Sequence, residues 1–409
     1  MKKHSACIVT KYGWVDINKE LYKSINCIKI PLHDTILSSD FYKKKEGIFW
    51  PRVKKITDYQ STHDNALAYY DTEYIHHIIR YHEFTPEQFK KALLFLCDVC
   101  IYCYNHGYFL RTHLWNVTFV RGKPYLTDIR DFEKLKSQKW INIFIGHFRT
   151  KLDNHCPILA SKFMINFDDI YSKLSSCTND LFSIKNIISS IQVRTNKNGA
   201  WTDYHKSRVN FLHSTDNLNE ELYNKIKNYG GGSKDKRKSY NLLTEIETIK
   251  PKTIVEVGCN NGLYCFASSK FANVVGLDYD INSINNANMI NEKLQTSTTF
   301  IYNNILDIQN NLKAQGQNGS YGTIYDRCRS ELLIAPAIVH HLFKVCKSTD
   351  MILEIFDKLA KRYMIIENIP SVCSDEQLIA SIKKINWKII KVVSSSPSPR
   401  KFFVCTKII

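Results

Sequence analysis

The chain has 409 residues, 44% of them hydrophobic and 23% charged, a length that suits two or three domains each able to bury its own core. No apolar run reaches the ~20 residues of a membrane span, and the opening MKKHSACIVTKYGW lacks the apolar stretch of a secretory signal, so a cytoplasmic protein is expected and a membrane partner is not. The formal net charge of +17 raises nucleic acid as a partner, but Lys, Asn and Ile are abundant throughout, which reads as drift of the whole composition more than as one basic face.

The first strong local signal is FTPEQFKKALLFLCDVCIYCYNHGY. Thr85 is placed as an N-cap, Pro86 as the first helical residue and Gln88 as the return half of a capping box, so a helix is predicted to start there. Cys97, Cys100 and Cys103 then fall along one face of that helix. Their CxxCxxC spacing could suggest iron–sulfur ligands. With no fourth ligand in view, core packing is the better reading, and no metal site is expected. The other cysteines are scattered and the total of 13 is odd, which does not describe a disulfide framework.

The next block, FLRTHLWNVTFVRGKPYLTDIRDFEK, resembles the catalytic region of small-molecule and protein kinases. In those folds a base Asp precedes a metal-binding Asn by five residues, and a later Asp supplies a second ligand. Asn116 and Asp128 fall at compatible positions, but the base position holds Arg111, which cannot accept a proton. The resemblance therefore implies a degenerate kinase-like α+β domain over residues 1–190, used for substrate capture or scaffolding, with no phosphoryl transfer. Residues 191–235 read as a linker or lid. They contain Trp201, Asp203 and Tyr204, candidate substrate contacts, and the start of GGGSKDKRKSY, a glycine-rich charge run read as a solvated linker or a substrate-facing lid.

The most informative feature is TIVEVGCNNG followed by VVGLDYD. An apolar run ends in Glu256, the chain turns through Gly258 and Gly262, and a second apolar run ends in Asp278, whose carboxylate can accept both hydroxyls of a ribose. Neither G-x-G-x-x-G nor a P-loop is present, so neither a pyrophosphate nor a triphosphate site is indicated. The spacing E-x-G-x-N-x-G resembles motif I of class I S-adenosylmethionine (SAM) methyltransferases, with Asn260 in place of the usual middle glycine. Downstream, INSINNANMINEKL, FIYNNILD, ELLIAPAIVHHLF and RYMIIENIP alternate helical and strand character, which predicts a parallel α/β sheet. WKIIKVVSSSPSPRKFFVCTKI predicts a closing antiparallel hairpin, as class I methyltransferases carry.

The fold expected for residues 236–409 is thus a class I methyltransferase, Rossmann-like α/β sheet with an antiparallel final hairpin, and the implied cofactor is SAM. Glu256, Gly258, Asn260 and Gly262 would shape its methionine end, Asp278 would hold ribose, and Asp307 or Ile305 would meet adenine. Where amine methylases carry [ND]PP[YFW], this chain reads IAPAIVHHL, which favours an oxygen acceptor with His340 or His341 as general base, since an ordinary imidazole titrates near pH 6.5. Being adjacent on a helix, the two should point apart, with one facing the cleft. IAPAIVHHL, the strand ending in Glu367, SPRKFF, and GAWTDYHKSRVNF upstream together resemble a bacterial two-domain class I methyltransferase family, nodulation-protein-like, from about Tyr104 onward. That resemblance implies a methyltransferase of diverse substrates, and the acceptor expected here is a small molecule or a saccharide. An RNA methyltransferase and a non-catalytic SAM-binding protein remain alternatives.

Overall fold

The computed structural model describes residues 5–10, 13–16, 22–23, 35–56, 66–72, 75, 79–110, 112, 114–127, 132–135, 181–193, 212, 218, 220–229, 236–313, 322–395 and 399–408. The chain divides into two units, one built mainly from residues 1–195 and the other mainly from 196–409. In the first unit, strands β1 (Ser5–Thr10), β2 (Gly13–Asp16) and β3 (Tyr22–Lys23) join β4 (Val53–Ile56) and β5 (Ala66–Thr72) in an antiparallel sheet of order β3-β2-β1-β5-β4. The short helix α1 (Asp40–Lys43) precedes β4.

Helix α2 (Pro86–Asn105) starts where the capping signal predicts: Thr85 Oγ1 accepts from Gln88 N at 3.2 Å and Gln88 Oε1 accepts from Thr85 N at 3.0 Å. Cys97, Cys100 and Cys103 are buried along it, and burial pushes the Cys97 thiol up to about 12, so these are packing residues without thiolate character. Beyond it lie β6 (Tyr108–Leu110), β7 (Val117–Val120), β8 (Lys123–Leu126) and β9 (Phe132–Lys134), paired as β6 with β9 and β7 with β8. Helix α3 (Leu181–Ser190) packs along α2 and is pinned by Lys90, whose Nζ donates to the carbonyls of Ser189 and Ile191, each at 2.8 Å. Asn116 is buried and its carbonyl accepts from Thr127 N at 2.7 Å, while Arg111 and Asp128 lie outside the described residues.

The second unit runs α4 (Glu220–Lys227), α5 (Lys236–Ile249), β10 (Thr253–Val257), α6 (Leu263–Ser268), β11 (Asn273–Asp278), α7 (Ile281–Leu294) and β12 (Thr298–Tyr302). It continues with α8 (Ile308–Asn311), α9 (Ile324–Cys328), β13 (Ser330–Ala335), α10 (Val339–Cys346), α11 (Thr349–Leu359), β14 (Ala360–Asn368), α12 (Asp375–Lys384), β15 (Trp387–Ser394) and β16 (Lys401–Lys407). The seven strands lie in the order β12-β11-β10-β13-β14-β16-β15. The first five are mutually parallel, and β16 runs antiparallel to both its neighbours. This is the expected α/β sheet of parallel strands closed by an antiparallel hairpin, with the last strand of the hairpin inserted inside the edge strand.

The order reverses between β10 and β13, so the loops leaving their carboxyl ends diverge and open a crevice there. β10, β11 and β13 are buried along nearly their whole length because helices cover both faces, which is why they read as continuous apolar runs. Helix α4 falls within the stretch expected to be a linker, yet its Leu222, Tyr223 and Ile226 belong to the apolar core of this unit. Phe300 on β12 is fully buried, edge-on to Phe266 with ring centroids 5.2 Å apart, and fills the space beneath the turn at Gly262. Phe300→Ala should therefore lower stability by about 3–5 kcal/mol in urea unfolding. A loss below about 1 kcal/mol would mean the ring does not support that turn.

Candidate functional site

The turn after β10 is built from residues that tolerate left-handed backbone. Gly258 has φ +73°, Asn260 +48° and Gly262 +80°. A Cβ on Gly258 would lie 2.7 Å from the Ile338 side chain and one on Gly262 would lie 2.4 Å from the Phe300 ring, so both glycines are required by conformation and by close approach. Asn is among the few other residues that adopt this conformation readily, which explains why Asn260 can replace the middle glycine. Its side chain gains a role, since Nδ2 donates to Ser283 Oγ at 3.0 Å and ties the turn to α7.

Asp278, at the end of β11, organises the same turn. Its Oδ2 accepts from Asn260 N at 2.7 Å and its Oδ1 accepts from Asp280 N at 2.8 Å. A carboxylate has about four acceptor positions, so each oxygen keeps capacity for a ligand hydroxyl. Burial raises this carboxyl to about 6 against the lowering effect of the backbone donors. Glu256 is almost wholly buried and accepts from Cys265 Sγ at 2.9 Å. Burial pushes it up to about 8, with the thiol hydrogen bond and the Lys238 charge opposing and Asp278 adding to the rise.

The buried side-chain oxygens of Asn260, Asn261 and Asn303 (each Oδ1) have no donor among the described residues. Together with Glu256 and Asp278 they make the carboxyl edge of β10, β11 and β12 rich in acceptors. The E-x-G-x-N-x-G turn contains no lysine or arginine. Such a set fits a ligand offering hydroxyls, amines and positive charge, and fits pyrophosphate poorly. Ile305 is buried in the loop after β12. Asp307 caps α8, its Oδ1 accepting from Asn310 N at 3.3 Å and its Oδ2 from Asn310 Nδ2 at 2.7 Å, so both its oxygens are engaged locally.

On the other side of the crevice, Ala337 takes φ +55° between Pro336 and Ile338, a left-handed turn that seats Ile338 against Gly258 and starts α10. The His340 and His341 rings do not point apart. Their centroids are 3.9 Å from one another in the first turn of α10. The His340 Nδ1 is buried without a partner. Burial first, then the charges of His341, Arg400 and Lys344, with Glu367 opposing, hold His340 down to about 4, well below the ordinary imidazole value. His341 is lowered too, by burial, Lys344 and Arg400.

The sequence reading missed the charges behind this pair. Lys238 lies in the run expected to be a solvated linker, but it is buried and its Nζ donates to Glu367 Oε2 at 2.6 Å. Ser395 Oγ donates to Glu367 Oε1 at 2.6 Å, and the Arg400 guanidinium stands 4.0 Å away. Burial alone would raise Glu367, yet Lys238, Ser395 and Arg400 hold its carboxyl below the usual range. One signal was available: Glu367 ends an apolar run just as Glu256 and Asp278 do. Trp201, Asp203 and Tyr204 lie outside the described residues, and among those described no group of three His, Cys, Asp or Glu is placed to hold a metal ion. No described helix is long and apolar enough to cross a membrane.

No family model and no curated protein matches the chain. Among solved structures, the bifunctional kinase-methyltransferase WbdD aligns at 17% identity over 49% of this chain and 46% of that one, with TM-score 0.35. Magnesium protoporphyrin IX methyltransferase from Synechocystis PCC 6803, solved with bound SAM, aligns at 12% over 52% of this chain and 100% of that one, TM-score 0.33. A TehB-like SAM-dependent methyltransferase from Corynebacterium glutamicum aligns at 10% over 52% and 100%, TM-score 0.34. The chain spans about half the length of the WbdD chains it matches.

The raised carboxyls have a measurable consequence. A folded pKa of about 8 for Glu256 and about 6 for Asp278 means that the folded chain holds more protons than the unfolded one from about pH 4 upward. Their contribution is present below the unfolded values and is lost as pH rises through 6 and then 8. The ligand-free protein should therefore lose stability between pH 6 and 8, and Glu256→Gln should flatten the upper part of that slope in thermal melts. An unchanged slope in the variant would show that Glu256 is ionised throughout.

Proposed function

We propose that this chain is a SAM-dependent O-methyltransferase acting on a small-molecule or saccharide acceptor. The observation that carries the reading is the acceptor-rich edge of β10, β11 and β12, where Glu256, Asp278 and the Asn260 and Asn261 oxygens gather around the glycine turn after β10. Asp278 would hold the two ribose hydroxyls with its free lone pairs, and Ile305 would pack against adenine. Glu256, with Gly258, Asn260 and Gly262, would shape the methionine end. When bound, SAM supplies an electrophilic methyl group on a sulfonium centre. The chain's contribution is to orient the acceptor oxygen for in-line attack and to receive its proton.

His340 is the residue we assign to the proton. Its buried environment keeps the imidazole neutral, and Nδ1 has no partner that would have to be displaced. Glu367, paired with Lys238 and Ser395, is a positioning group that anchors the start of α5 and the β15–β16 loop beside the crevice. In this reading residues 236–409 carry cofactor and chemistry, and the unit built from the first half of the chain captures the acceptor without transferring phosphoryl groups.

Calorimetry should show binding of SAM and S-adenosylhomocysteine and none of NAD. Asp278→Asn should weaken SAM by about 1.5–3 kcal/mol, the range for a hydrogen bond to a charged group. Binding of NAD in preference to SAM would overturn the assignment. Radiolabelled SAM with fractionated cell extract would then identify the acceptor. With it in hand, His340→Gln should reduce turnover about 10²–10⁴-fold with SAM affinity nearly unchanged. Because folding holds His340 to about 4, the acid limb of the native rate profile should fall near pH 4 and not near 6.5. Near-native turnover in the variant would make the histidine structural.

A further inference from the structure

On the His340 side of the strand-order reversal, positive charge outweighs the one carboxylate that faces it. β13, β14 and β16 are consecutive in the sheet, and three residues stand at the same edge of them. His340 follows β13, Glu367 lies at the carboxyl end of β14, and Arg400 immediately precedes β16, whose Lys401 and Phe402 pair with Asn368 and Glu367. Glu367 Oε2 accepts from Lys238 Nζ at 2.6 Å, so its charge is already met by a buried lysine. Arg400 Nη1 stands 4.0 Å from Glu367 Oε1, beyond hydrogen-bond distance, and its guanidinium has no other acidic partner among the described residues. Lys344, on the same helix as the two histidines, is exposed and forms no ion pair with a described residue. After burial, both of these cations are among the charges that lower His340 and His341. The Arg400 side chain keeps 38% of its surface in solvent and both histidines are half-buried, so a ligand can reach all three. A guanidinium fork in that condition offers paired N–H donors to an acid group.

We propose that Arg400 is the specificity residue for the methyl acceptor and binds an acid group, carboxylate or phosphate, on the same molecule whose hydroxyl meets His340, an assignment that rests on reading residues 236–409 as a SAM-dependent O-methyltransferase. Adjacent strands lie about 4.8 Å apart, so positions two strands apart are separated by roughly 10 Å at the backbone. That span suits an acceptor the size of one acidic sugar or a small hydroxy acid. The cofactor's own carboxylate is the rival anion, but its methionine end is placed at Glu256 and Gly258 after β10, which lies on the far side of β13 from Arg400.

The test uses the full chain, methyl-labelled SAM and fractionated cell extract. The labelled product should be retained on an anion exchanger at neutral pH. The acceptor should be inactivated by phosphatase if its acid is a phosphate, or by carbodiimide coupling to an amine if it is a carboxylate. Arg400→Gln should raise KM for that acceptor about 10–100-fold, with the loss falling on KM more than on kcat and with SAM affinity kept. Arg400→Lys, which keeps the charge but not the fork, should recover part of the loss. Thermal melts establish folding, and if Arg400→Gln does not fold, the KM of Arg400→Lys, expected to rise at least about threefold, decides alone. A product that passes the exchanger unretained, an acceptor that survives both treatments, or a folded variant with native KM overturns the inference and leaves methyl transfer standing. Weaker SAM binding in Arg400→Gln would put the guanidinium on the cofactor and overturns it as well. Label transferred to no fraction overturns both the inference and the enzymatic reading.

Discussion

The Asp278 carboxylate is the interaction on which the second unit's site depends. It ends the strand next to β10, and its two oxygens take the backbone N–H groups of Asn260 and Asp280, one in the turn above β10 and one at the start of α7. The end of β11 and the start of α7 are thereby tied to the turn after β10, 18 residues earlier in the chain. Because the donors are backbone amides, they cannot rotate away as side chains would, and the carboxylate keeps acceptor capacity directed outward. The steric side of the same constraint is the packing beneath: Ile338 against Gly258 and Phe300 against Gly262 leave no room for side chains in the turn. Electrostatics and packing thus select the same loop conformation at the point where the strand order reverses.

Charge is organised differently at the surface and in the interior. Around the second unit lysines are matched by acidic partners, as in Lys384–Asp350 at 2.5 Å, Lys401–Asp375 at 2.5 Å and Lys407–Asp357 at 2.7 Å. Exposed pairs of this kind contribute little stability each. The Lys238–Glu367 pair is of another kind, because both members are buried and removing either leaves an uncompensated charge. Its value lies in specificity of placement, since it joins the first turn of α5 to the end of β14.

Much of this architecture is legible in the sequence for simple reasons. Buried parallel strands are continuous apolar runs, INSINNANMINEKL reads as a helix and forms one over 281–294, and Thr85, Pro86 and Gln88 state a capping box outright. Glu256, Gly258, Asn260, Gly262 and Asp278 are adjacent in the fold because each closes a strand or makes the turn that follows it. What escaped is long-range pairing. Lys238 sits in a glycine-rich charge run and has the local signature of solvation, yet its partner is 129 positions away. Asn303 was likewise invisible, since composition here is rich in asparagine and only the folded loop shows which amide oxygen is left over. Ring orientation at His340 and His341 also escaped, because helical periodicity fixes Cβ directions and not how two imidazoles settle against each other.

The protonation states that follow from burial give the site a definite charge before any ligand arrives. At neutral pH Glu256, near 8, is mostly protonated, His340, near 4, is neutral, and Asp278, near 6, is mostly ionised. The negative charge is therefore concentrated at Asp278, while Glu256 stays an undissociated acid because its burial outweighs the opposing Lys238 charge. A cationic ligand placed beside Glu256 would favour its ionised form and draw its proton away, so binding of such a ligand near neutral pH would be coupled to proton release. The same argument separates the two halves of the crevice. At His340 burial first, then the charges of His341, Arg400 and Lys344, keep the imidazole uncharged; at Glu256 burial keeps the carboxyl uncharged until a cation is present to meet it.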